Sequence, residues 1–104
     1  MTKPLVVSIP HRLGKPESIR RVREGFGTAE GKFGHLLAVE RQDWTDDRVA
    51  FQIRAVGQTA SGTIDFGEDS VCLKLELPWL LARLAERVQK VIRREGTLLL
   101  EKKP

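Results

Sequence analysis

Tyrosine is absent from this chain, and cysteine occurs once, as Cys72. A single thiol excludes an intramolecular disulfide and does not resemble a zinc cluster, so the sequence points to a reducing compartment such as the cytoplasm and to Cys72 as a structural thiol. Histidine is scarce as well. His11 and His35 have no metal-ligand spacing and no cysteine near them in sequence, so no metal and no cofactor is expected. Asp43, Asp46 and Asp47 lack the glycine and glutamate positions of a calcium loop and read as turn residues. Ser61 stands in Ala60-Ser61-Gly62, which is not a Gly-x-Ser-x-Gly elbow, and no general base accompanies it. The glycines of the run from Gly25 to Gly31 fall inside a helical pattern, not between a strand and a helix N-terminus, which excludes a phosphate loop. The chain therefore reads as non-enzymatic.

Long apolar runs are lacking too. No run approaches the ~18 residues of a membrane-spanning helix. The segment Leu5-Val6-Val7-Ser8-Ile9 is broken at once by Pro10, His11 and Arg12, far short of a secretory signal. Aromatic residues make up only 6% of the 104 residues, and the phenylalanines fall at core positions; this argues against a nucleic-acid partner despite a net charge of +4.

What is present suits one globular domain spanning 1–104, with 40% hydrophobic and 31% charged residues. Charge is segregated along it. Residues 1–35 carry seven Lys and Arg against three acids, residues 36–77 carry four against eight, and residues 78–104 carry seven against three. The ends are basic and the middle acidic.

The strongest pattern lies in Leu77–Leu100. Leu77, Leu80, Leu81, Leu84, Ala85, Val88, Val91 and Ile92 recur at helical spacing, Pro78 suits a first helical turn, and Arg83, Glu86, Arg87, Lys90, Arg93 and Arg94 occupy the opposite side. Glu86 and Lys90 stand at the favourable i,i+4 spacing, with cations toward the C-terminal end. A second amphipathic helix follows from Pro16 and Glu17 through Ile19, Val22, Phe26, Ala29 and Phe33, with Gly34 as its cap. Gly25 and Gly27 weaken it, and either close packing or a kink would account for them.

A short strand at Pro4–Ile9 precedes that helix. After Leu36 the period changes from helical to alternating, and four strands fit. Leu37 and Val39 alternate with Ala38 and Glu40; Val49, Phe51, Ile53 and Ala55 face inward, as do Ala60, Gly62, Ile64 and Phe66, and then Val71, Leu73, Leu75 and Leu77. The outward residues are polar. The expected fold is an α+β two-layer sandwich, β-α-β-β-β-β-α, with an antiparallel sheet and both helices on one face, a reduced helix-grip arrangement. Solid packing between the layers is the expectation, with a ligand cavity there as the alternative.

The segments Val7–Lys15 (VSIPHRLGK), Leu77–Glu86 (LPWLLARLAE) and Ile92–Lys103 (IRREGTLLLEKK) resemble the small bacterial proteins of the polyhydroxyalkanoic acid system family. The resemblance covers nearly the whole chain. It implies a bacterial cytoplasmic setting and an association with storage-polyester genes and granules, and it brings no catalytic residues with it. The expected function is a non-enzymatic accessory role in polyhydroxyalkanoate metabolism or at granules. Candidate interface residues are Arg20, Arg21 and Arg23 on the first helix, Arg93 and Arg94 on the last, and Leu98, Leu99 and Leu100 after Gly96, which either overhang the end of the sheet or fold back, or pair as a short strand, to finish the core. Trp79 joins them as either an interfacial anchor or a packed side chain. His11 and Arg12 are candidate loop contacts. The expected partner is the polyester granule surface or a granule-associated protein, with a homodimer through the leucine tail as a further option. A small acyl or hydroxyacyl carrier is the alternative function.

Overall fold

The computed structural model describes residues 4–33, 37–55, 57–78 and 82–101. Gly34, His35 and Trp79 lie outside the described residues, as do Leu80, Leu81, Lys102 and Lys103, and the side chains of Ala29, Phe33 and Leu37. The elements are β1 (Leu5–Pro10), α1 (Lys15–Phe33), β2 (Leu37–Trp44), β3 (Arg48–Ala55), β4 (Gln58–Phe66), β5 (Ser70–Glu76), a 3-10 turn at Ala82–Leu84, and α2 (Ala85–Leu99). The sheet has five strands in the order β1-β5-β4-β3-β2, every neighbour antiparallel. The β-α-β-β-β-β-α order and the α+β class are as the alternation of periods implies.

Strands β2 to β5 form a meander, and α1 carries the chain from β1 at one edge to β2 at the other. One face of the sheet is apolar. Val7, Leu73, Ile64 and Val49 are in register across four strands, and Ile9, Val71 and Phe66 make the next row. Both helices pack on this face, α2 mainly against β1 and α1 against β2 and β4. Between α1 and the sheet, Phe26 meets Phe51 with ring centroids 5.3 Å apart and meets the edge of Trp44 at 6.3 Å, while Trp44 stacks on Phe66 at 5.8 Å. These rings fill the interlayer at that end.

Three local features depart from the sequence reading. First, β2 runs to Trp44 because the register shifts between Val39 and Arg41, leaving Glu40 as an extra residue. A bulge of one residue reverses the side-chain parity beyond it, so Trp44 turns inward opposite Val49 instead of outward. Second, α2 proper begins at Ala85. Leu77 is buried as a continuation of the β5 alternation, and Pro78 lies outside the helix, its carbonyl accepting the Ala82 N–H at 3.1 Å. The N-cap of α2 is Leu84, whose side chain has no acceptor to offer. Third, among the described residues no ion pair joins Glu86 to Lys90.

Two glycines set how closely the helices approach. A Cβ on Gly96 would collide with the Ile9 Cδ1 of β1, and one on Gly25 would come within 2.8 Å of Leu99 Cδ2. Close packing thus accounts for Gly25, whereas among the described residues nothing lies within 4 Å of such a position on Gly27. Gly96→Ala should accordingly lower stability by roughly 1–3 kcal/mol in urea denaturation, since overpacking outweighs the helix-propensity gain of up to ~1 kcal/mol. An unchanged or raised midpoint would show that Ile9 yields freely.

Candidate interface on the C-terminal helix

Helix α2 presents Ala85, Val88, Ile92 and Leu99 to the core. At ~100° per residue these cluster on one side, and a separate set appears about a quarter-turn away. Leu84, Val91 and Leu98 recur every seven residues and are 44%, 49% and 57% exposed. They form an apolar stripe open to solvent. Arg87 and Arg94 border it on the side away from the core, with Arg83 and Lys90 just beyond, and all four are exposed. Arg93 is exposed on the far side of the helix. The nearest acid is Glu95, paired with Arg94 at 3.6 Å. With that pair counted as neutral, Arg83, Arg87 and Lys90 still leave the border cationic.

The three tail leucines have different surroundings. Leu98 is in solvent, Leu99 packs against the core at Gly25, and Leu100 is 4% exposed within the core. Their C-terminal carbonyls are met from α1. Arg21 donates through Nε to Glu17 at 3.0 Å and through Nη1 to the carbonyls of Leu99, at 3.3 Å, and Glu101. A cation at a helix C-terminus opposes the partial negative charge there, and this one comes from the other helix because the last turn of α2 has none of its own.

The remaining α1 arginines are also engaged. Arg20 bridges Glu17 and Glu24, and the Arg23 guanidinium lies 4.5 Å from the Trp44 ring centroid. Hydrogen bonds from Arg20 first, then Arg21, hold the Glu17 carboxyl down at about 2 from its ordinary 4.5, and Glu17 in turn raises Arg20. Of the candidate interface residues, the structure therefore places Arg94 and Leu98 beside the open stripe. It leaves Arg93 apart from it, and ties Arg20, Arg21 and Arg23 into contacts within the fold.

His11 is only 6% exposed, so it is no surface contact, whereas Arg12 is exposed. The His11 N–H of the main chain donates to Asp69 O at 2.8 Å, and Nδ1 accepts the Leu13 N–H at 3.2 Å, which leaves the proton of the neutral ring on Nε2. Nε2 is buried without a hydrogen-bond partner among the described residues. The ring shapes the β1–α1 turn. No group of three His, Cys, Asp or Glu capable of holding a metal occurs among the described residues, and no helix there is long and apolar enough to cross a membrane.

The chain is a small α+β domain whose last helix leaves a basic-bordered apolar stripe uncovered. The family model described as Putative polyhydroxyalkanoic acid system protein matches residues 5–99, and the chain belongs to that family. Comparison with curated proteins and with solved structures gives no match.

Sequence reasoning grouped Leu98, Leu99 and Leu100 and overlooked Leu84 and Val91 as surface. The signal was there in the seven-residue interval, but it coincides with the core stripe until the rotation of α2 is known.

Two outcomes follow from this geometry. Leu100→Ser should cost about 2–5 kcal/mol of stability, as buried Leu truncations do, whereas Leu98→Ser should change it by less than about 0.5 kcal/mol; urea midpoints compare them. The second concerns acid. Because Glu17 titrates lower in the folded chain, the unfolded chain takes up its proton first. The stabilisation is whole above pH 4.5 and drains away as pH falls toward 2. Glu17→Gln should flatten that part of the acid limb, and a limb identical to wild type would remove Glu17 from it.

Proposed function

We propose that this protein is a non-enzymatic accessory component of the polyhydroxyalkanoate system, adsorbing to the apolar, anionic surface of a polyester granule through the exposed side of α2. The observation that carries this reading is the Leu84-Val91-Leu98 stripe with Arg83, Arg87, Lys90 and Arg94 along one border. An amphipathic helix lying in an interface needs such a layout, with apolar side chains entering the surface and cations meeting its anions. The flanking charge also bears on the choice of partner. Two copies of α2 joined stripe to stripe would bring like charges together, which favours an anionic surface over a helix-to-helix homodimer. An acyl carrier with its ligand between the layers has less to support it, since four aromatic rings occupy much of that space.

The test is co-sedimentation of the purified protein with native granules, and with anionic and neutral vesicles, at low and high salt. Replacing all three stripe residues, Leu84→Ser, Val91→Ser and Leu98→Ser, should weaken binding on the order of a hundredfold, about 1 kcal/mol for each half-exposed side chain. The thermal midpoint should stay near wild type because the three are outside the packed core. Arg87→Glu with Arg94→Glu should weaken binding to anionic vesicles and granules and remove its salt dependence. Wild-type binding by the triple variant would overturn the proposal.

A further inference from the structure

The face of the sheet that the helices leave uncovered carries a trough of about 420 Å³. Its floor is made of short side chains, Ala50, Ser61 and Thr63, and long charged ones stand at its corners. Register fixes their layout. Lys74, Thr63, Ala50 and Asp43 form one row across β5-β4-β3-β2, and Glu76, Ser61, Gln52 and Arg41 form the next. The corners thus read plus and minus on β5, minus and plus on β2, over a span of roughly 14 Å across three strand spacings. Arg41 and Asp43 are already paired at 2.8 Å, while among the described residues no ion pair is recorded for Lys74 or Glu76.

We infer that this uncovered sheet face is the contact surface for a second copy of the chain, related by a two-fold axis parallel to the strands between β3 and β4. That operation keeps each row and exchanges its ends. Lys74 then faces Asp43 of the second copy, Glu76 faces Arg41, and in the following row Asp65 faces Arg48, where each chain already holds its own Arg48–Asp65 pair at 2.5 Å. All three contacts are attractive, and each Arg41–Asp43 pair becomes a four-charge network. A two-fold axis perpendicular to the strands satisfies the trough corners as well, but it sets Arg48 over Arg54 of the second copy. Each of these arginines is paired within its own chain, Arg48 with Asp65 at 2.5 Å and Arg54 with Glu40 at 4.0 Å, so that arrangement adds no attraction there and brings two guanidinium groups together.

The face covers roughly 300–400 Å² per copy, below the size of a standard stable interface, so the pair is weak and salt-sensitive. It forms where the protein is concentrated. Back-to-back pairing also leaves both α2 stripes uncovered. The inference does not depend on the surface proposed for α2, because a different face of the sheet is used.

The experiment is sedimentation velocity of the full chain over a concentration series, from about ten micromolar to about one millimolar, at low and high salt. A concentration-dependent monomer–dimer equilibrium is expected at low salt, weakened at high salt. Lys74→Glu should raise the dissociation constant at least about tenfold, and combining it with Asp43→Lys should restore pairing, as each copy then presents the reversed charges to the other. Combining Lys74→Glu with Glu76→Lys should not restore it. Circular dichroism checks that the variants fold, and the stripe variant of α2 should dimerise like wild type. A chain that stays monomeric throughout the series would overturn the inference. So would a dimer indifferent to Lys74→Glu, or one rescued by Glu76→Lys instead of Asp43→Lys. Granule binding by Lys74→Glu at low protein concentration separates this result from the reading of α2.

Discussion

The close approach of α2 to the sheet edge is the constraint on which the rest of this structure depends. It exists because Gly96 has no Cβ where Ile9 stands, and the neighbouring approach to α1 exists because Gly25 has none where Leu99 stands. Those contacts, together with the burial of Ala85, Val88, Ile92 and Leu99, go with one rotation of α2 about its own axis. Once the rotation is fixed, each residue of the helix has a defined fate. Ala85, Val88, Ile92 and Leu99 go inward and Leu100 closes the core behind them, while Leu84, Val91 and Leu98 are left outside. An apolar surface here is therefore a consequence of packing, since the helix has more apolar residues than its contact with the sheet can cover.

A second constraint acts at the opposite edge. Without the extra residue at Glu40, Trp44 would fall on the polar face of the sheet, as the two-residue alternation from Leu37 implies. The bulge returns it to the interior, where it stacks on Phe66 and meets Phe26 and the Arg23 cation. The two edges are thus closed by different means, the β1 edge by a tightly apposed helix and the β2 edge by an aromatic cluster under α1. Arg21 links the two helices, since it binds Glu17 on its own helix and the last carbonyls of α2.

Much of the fold was legible in the sequence because its signals are local. The alternation of Val49, Phe51 and Ile53, of Ala60, Ile64 and Phe66, and of Val71, Leu73, Leu75 and Leu77 identifies both the strands and their buried side, and all of these face the core. What the sequence did not reveal depends on contacts distant along the chain. The bulge at Glu40 is visible only in its pairing with β3, and the apparent first turn at Pro78 precedes a helix that settles at Ala85. The candidate site shows the same division. Its amphipathic character and basic border follow from residue spacing, but the choice of Leu98 over Leu99 and Leu100 follows from Gly25, Gly96 and Arg21, which no periodicity relates to them.

Charge on the two helices leads to one last step. By composition both ends of the chain are equally basic, which makes them equivalent candidates for an anionic partner. In the fold they are not equivalent. The arginines of α1 face Glu17, Glu24, the Trp44 ring and the end of α2, so their fields are largely answered within the molecule. Those of α2 have only Glu86 and Glu95 on their own helix, and Arg94–Glu95 is the one pair recorded there among the described residues. Among the described residues, the cations Arg83, Arg87 and Lys90 along α2 have no ion-pair partner and stand beside the only long helix stripe of exposed leucine and valine. Under the proposed adsorption, electrostatic attraction and apolar insertion would act on the same side of the same element, and that coincidence would set the orientation of the bound protein.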